Sequence, residues 1–116
     1  MHEASLVRNL LDQVRRLADA QAADGVERIE LEIGPLSGVE AELVASAFRD
    51  LRGEFGLGHS ELVIEQVPLV AQCPDCEQRF ELVEFDFRCP SGCAGRVRVV
   101  QGEACLLKRV SLRVPD

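Results

Sequence analysis

Cys73-Pro74-Asp75-Cys76 and Cys89-Pro90-Ser91-Gly92-Cys93 stand twelve residues apart. Each pair is kinked by a proline, and the segment between them has the length of a short hairpin, so four sulfurs can converge on one point. Zn²⁺ takes four thiolates in a tetrahedron with Zn–S near ~2.3 Å, and this spacing predicts a closed structural site at Cys73, Cys76, Cys89 and Cys93. The competing reading is one or two disulfides, or unpaired buried thiols. A reducing compartment favours the metal over disulfides. On the zinc reading, residues 71–100 form a zinc-ribbon domain inserted into a domain made of residues 1–70 and 101–116.

The chain has 116 residues, of which 47% are apolar, enough for one core and a small metal-stapled module. A formal charge of −7 argues against a nucleic-acid backbone as partner. The cysteine segment is acidic too, with Arg79, Arg88, Arg96 and Arg98 against Asp75, Glu77, Glu81, Glu84 and Asp86. Trp and Tyr are absent, which removes most of the stacking surface that binders of single strands use. Glu3, Arg8, Asp12, Arg15 and Arg16 interrupt any apolar leader, and no apolar run reaches membrane-spanning length. Cytoplasmic residence without a membrane partner is expected.

Outside the cysteine segment, residues 4–23 read as an amphipathic helix with Leu6, Leu10, Val14, Leu17 and Ala18 inward, stopped by Asp24-Gly25. Arg28 to Ile33 alternates as a half-buried strand, and Gly34-Pro35-Leu36-Ser37-Gly38 is a turn cluster. A second helix over Glu40–Glu54 buries Leu43, Val44, Ala47, Phe48 and Leu51, and Glu61–Val67 is a second strand. Arg79–Val83 and Glu84–Arg88 read as the ribbon hairpin, and Arg96–Val100 as a strand leaving it. In the last strand, Cys105–Val114, the parity switches between Leu107 and Val110, which predicts a bulge near Lys108. The expected fold is α/β in the α+β sense, two helices on a small three-stranded mixed sheet. Cys105 reads as a small buried apolar residue and His59 as a solvated loop residue.

A four-thiolate shell has no open position with which to activate water. No nucleophile elbow, phosphate loop or paired acid/base motif accompanies it, so an enzyme is not expected. The remaining candidate is Met1-His2-Glu3. A free amine, the His2 amide and an imidazole nitrogen offer three donors, and the Glu3 amide completes a plane if the metal drives amide deprotonation. Such donors suit Ni²⁺ or Cu²⁺. The site needs Met1 retained, and the bulky His2 disfavours its removal. A histidine so placed is ordinarily a solvated, frayed residue, and the residues alone leave both readings open.

Met1-His2-Glu3-Ala4-Ser5-Leu6, Leu31-Glu32-Ile33-Gly34-Pro35-Leu36-Ser37-Gly38-Val39, the two cysteine pairs and the Gly102–Lys108 segment together resemble the HypA/HybF family. These are nickel metallochaperones of [NiFe]-hydrogenase maturation. The resemblance implies nickel at His2 with the Met1 amine and the Glu3 amide, an acidic side chain at Glu40 near it, and structural zinc at the four cysteines. It also implies a GTPase and the hydrogenase large subunit as partners; a monomer or weak homodimer is expected, although the residues do not reveal the oligomeric state. Two positions depart from the family pattern. The second cysteine pair has one residue more than usual, and Cys105 stands where an aliphatic residue is common. The rival reading is a zinc-ribbon protein–protein adaptor with no nickel role.

Overall fold

Apolar residues one and three or four positions apart turn residues 3–20 into a helix with a continuous inward stripe. A computed structural model describes residues 3–84 and 86–115. Its elements are α1 (Glu3–Ala20), β1 (Gly25–Ile33), α2 (Ala41–Leu51), β2 (Glu61–Gln66), β3 (Val70–Gln72), β4 (Arg79–Glu81), β5 (Arg98–Gln101) and β6 (Cys105–Arg113), with a single 3₁₀ turn at Arg52–Phe55 after α2.

The buried stripe of α1 is Val7, Leu10, Leu11, Val14 and Ala18. It is rotated from the expected one, so Leu17 is 41% exposed and Leu6 only half-buried. The helix also ends three residues before the expected stop. Ala22 takes a left-handed φ of 52°, and the N–H groups of Ala22 and Ala23 donate to Asp19 O and Ala18 O. That is a Schellman closure, with alanine in the position glycine usually holds. In α2, Val44 and Phe48 are buried, whereas Leu43 is 48% exposed.

β1 is the centre of a three-stranded sheet in the order β2-β1-β6, parallel to β2 and antiparallel to β6. The expected small mixed sheet is therefore present. Both helices cover one face, where Ile29, Leu31 and Ile33 meet Val14, Val44 and Phe48 in a single cluster. Glu30 and Glu32 point to the other face, toward Arg109 and Lys108. The pairing steps from Glu30↔Arg109 to Leu31↔Leu107, so Lys108 is the extra residue of a bulge and the parity switch is explained.

A second sheet, in the order β4-β3-β5, is wholly antiparallel. Its central strand β3 was not anticipated, because three residues show too little alternation to register. Among the described residues of Glu84–Arg88 (84 and 86–88) the expected strand is absent. Glu84 adopts φ 55°, and the Asp86 carboxylate accepts both the N–H and the guanidinium of Arg88, a local bond that replaces strand pairing at Asp86–Arg88. The buried apolar residues beneath the second sheet are Leu69, Ala71 and Leu82.

Two crossings join the sheets, and glycine sits where they touch. A Cβ on Gly34 would overlap the backbone of Gly102. A Cβ on Gly102, which holds φ +99°, would come within 2.9 Å of Leu69 Cα. The N–H groups of Gly34 and Leu36 donate to Ala104 O and Gly102 O, and the Gln101 amide donates to Pro68 O. The radius of gyration, 17.6 Å, exceeds the roughly 13 Å of a compact chain this long, so the sheets lie end to end across this junction. Gly34→Ala should destabilise the fold by about 3 kcal/mol in urea denaturation, since backbone rather than a flexible side chain must move. Gly58→Ala, which meets open space, should change stability by less than about 0.5 kcal/mol.

Candidate metal centres

Cys73 follows β3 directly and is fully buried, as Cys89 nearly is, while Cys93 is half-buried and Cys76 exposed. The first pair is a tight loop. The Glu77 N–H donates to Cys73 O and the Cys73 N–H to Gln78 O, with Glu77 at φ 61°. The second loop turns through Gly92, whose φ of 83° lets its N–H donate back to Cys89 O at 3.0 Å. A side chain there would be strained, so the additional residue of this loop depends on glycine.

The four sulfurs lie within 4.8 Å of one another. Cys76 Sγ and Cys89 Sγ are 3.7 Å apart, far beyond a disulfide bond. A tetrahedron with bonds of ~2.3 Å has edges of about 3.8 Å, so this separation fits two ligands of one zinc ion. Four thiolates would hold such an ion in a closed shell, and the chemistry it supplies is cross-linking of the fold.

Crowding divides the protons unevenly. The Ser91 N–H, helped by that of Cys93 and by the thiols of Cys76 and Cys73, pulls the Cys89 thiol down to about 7. The thiols of Cys73, Cys76 and Cys89, with burial, push Cys93 up to about 12. At Cys76 the Gln78 N–H acts downward, but burial and the thiols of Cys73 and Cys89 leave it above its usual value. Cys105 is raised by burial, stands opposite Ile33 in the first sheet and takes no part in the cluster. It is half-buried rather than fully buried, and His59 is an exposed loop residue.

Met1 and His2 lie outside the described residues. Glu3, the first residue of α1, is half-buried, and its carboxylate accepts the backbone N–H of Glu40 at 3.4 Å. Glu40 is the N-cap of α2 and has no side-chain cap of its own. The carboxylate at the start of one helix thus accepts the N–H of the other helix's cap residue, which sequence reasoning did not foresee. Only an acidic residue at the start of each helix hinted at it. A cleft of about 450 Å³ opens beside this contact, lined by Glu40, Glu42, Val39, Pro35, Gln66 and Val67 among others.

A family model described as hydrogenase/urease nickel incorporation, metallochaperone, HypA matches residues 1–112. The chain belongs to the HypA family. The hydrogenase maturation factor HypA of Shewanella halifaxensis is 38% identical over 112 residues, covering 97% of each chain. That of Shewanella sp. strain MR-7 is 34% identical over 116 residues, covering all of this chain and 98% of the relative. The solution structure of the Ni metallochaperone HypA from Helicobacter pylori superposes with a TM-score of 0.73 at 26% identity, covering 99% of this chain and 100% of that one. A second solution structure of a HypA protein gives 0.77 at 26% identity, covering 99% and 98%. These two HypA structures thus share the overall fold over 99% of this chain.

Cys93 and Cys76 still carry protons at neutral pH, so a zinc ion must displace at least these two. Its apparent affinity should therefore fall by at least about a hundredfold for each unit of pH lost near neutrality. The fall steepens below about 7, where Cys89 too must be deprotonated. Chelator competition at several pH values reads this slope, and a flat profile would exclude thiolate ligation.

Proposed function

We propose that this HypA-family chain carries Ni²⁺ at its amino terminus and passes it on during [NiFe]-hydrogenase maturation, while zinc stays bound by Cys73, Cys76, Cys89 and Cys93. Nickel is the cargo. Its donors are the Met1 amine, the His2 amide and imidazole, and the Glu3 amide, with the Glu40 carboxylate close by. The seat of the Glu3 carboxylate on the Glu40 N–H is the observation that carries this reading. It ties the residue next to His2 to the backbone of Glu40 at the start of α2. The family match, which starts at residue 1, also supports it.

Release suits such a site, because few groups must rearrange at a chain terminus for the ion to leave. Division into a nickel-binding domain of residues 1–70 and 101–116 and a zinc-ribbon domain of residues 71–100 belongs to the same reading, and the separate second sheet supports it. The partners are the GTPase of the maturation pathway and the hydrogenase large subunit, with neither nucleic acid nor membrane involved. The protein works in the cytoplasm, as a monomer or weak homodimer, and catalyses no reaction. Among the described residues no helix is long and apolar enough to cross a membrane.

His2→Ala in untagged protein should lower nickel affinity by at least about a hundredfold in calorimetric titration, while zinc content and circular dichroism stay unchanged. Wild-type affinity should itself weaken below about pH 6.5 as the imidazole is protonated. Unchanged nickel binding in the variant would reject the site and leave the adaptor reading in its place.

A further inference from the structure

β2 is an edge strand of the first sheet, paired with β1 on one side. Backbone groups along a strand alternate in direction, and the Val67 N–H donates to Ile33 O. Counting back in twos, Glu65, Val63 and Glu61 turn theirs toward β1. The N–H and C=O groups of Leu62, Ile64 and Gln66 therefore point to the open edge. Beside that edge runs a groove of about 380 Å³. One stripe of α2, Ala45, Phe48, Arg49 and Arg52, forms its wall, and the half-buried Leu62 and Ile64 form its floor. None of its described lining residues belongs to β1 or β6, so the groove lies where a further strand would run.

Charge marks the same groove. Outside residues 71–100, every other arginine and Lys108 lies against a carboxylate, from Arg8 on Glu54 to Arg113 on Asp24. Arg49 and Arg52 meet none among the described residues, in a chain with a formal charge of −7. Arg49 is exposed, while Arg52 lies 5.8 Å from the Phe48 ring centre and donates to Ser60 O at 3.5 Å, which keeps its guanidinium at the groove wall. Glu61 also borders the groove, but Arg28 holds its carboxylate at 2.9 Å. We propose that the groove takes an extended segment of a partner protein as a fourth strand beside β2, with carboxylates on the helix-facing side of that segment against Arg49 and Arg52.

Strand addition draws affinity from main-chain hydrogen bonds and selectivity from side-chain pockets. Alternate residues of the added strand face the helix, so apolar ones meet Leu62 and Ile64 and acidic ones meet the guanidiniums. A second copy of this chain does not fit. Its edge strands β2 and β6 turn apolar residues to the helix side and would leave both arginines without carboxylates. Gln66, at the far end of the open edge, also lines the cleft beside Glu40, so a segment laid along β2 arrives at that cleft. No groove residue is a proposed metal ligand, and the docking site stands or falls apart from the metal assignments.

The test uses a fluorescein-labelled peptide, Thr-Val-Thr-Glu-Thr-Leu-Thr-Glu-Thr, which puts valine, leucine and both glutamates on one face of a strand. Fluorescence anisotropy should show saturable binding to the whole untagged protein. A peptide with lysine in place of glutamate should bind at least about tenfold more weakly, as should the glutamate peptide to Arg49→Glu or Arg52→Gln protein. The lysine peptide should regain affinity for Arg49→Glu protein. Circular dichroism and metal content should be unchanged in both variants. In isotopically labelled protein, bound peptide should slow solvent exchange of the Leu62, Ile64 and Gln66 amides. Absence of binding, equal binding of the two peptides, or binding that leaves those amides unprotected would overturn the site. A wild-type dimer in sedimentation that Arg49→Glu dissociates would also overturn it, by making a second copy the occupant.

Discussion

Four sulfurs gathered within 4.8 Å are the constraint on which the second sheet depends. Three buried apolar residues, Leu69, Ala71 and Leu82, cannot offset the entropy of ordering some thirty residues at roughly 1 kcal/mol or more each. A dication shared by four thiolates supplies what is missing, and the loops between Cys73 and the crossing at Gly102 present them. The same crowding that raises Cys93 means that an ion entering the cluster displaces its proton.

The first sheet needs no such help. Its cluster draws on α1, α2 and all three strands, with Val14, Ala18 and Val44 fully buried. Among the described residues the two bodies constrain each other at the junction, where the tightest contact is backbone on backbone, Gly34 against Gly102. A junction of that kind has little side-chain slack. It fixes how the sulfur cluster is carried relative to the paired starts of α1 and α2, where Glu3 meets Glu40.

Much of this was legible because the signals are local. Cysteine spacing announced the cluster, alternation at Ile29, Leu31 and Ile33 announced the central strand, and the parity switch in the last strand announced the bulge at Lys108. What escaped detection was decided by tertiary contacts or by special backbone angles. The stripe of α1 was misplaced because Leu17 and Val7 are interchangeable by periodicity, and only the packing partner chooses between them. β3 is too short to alternate, and Glu84–Arg88 has strand-like residues overruled by a left-handed glutamate and an Asp86–Arg88 turn. The groove between Arg49, Arg52 and the open edge of β2 left no trace in the sequence, because nothing in one sequence says which strand ends a sheet.

The proposed function divides the molecule's work between an ion locked in by sulfur and an ion offered at a chain terminus by nitrogen. X-ray absorption at both metal edges, on untagged protein holding zinc and one equivalent of nickel, addresses it directly. Nitrogen and oxygen alone around nickel, with four sulfurs retained around zinc, is the expected result. Sulfur in the nickel shell would contradict it.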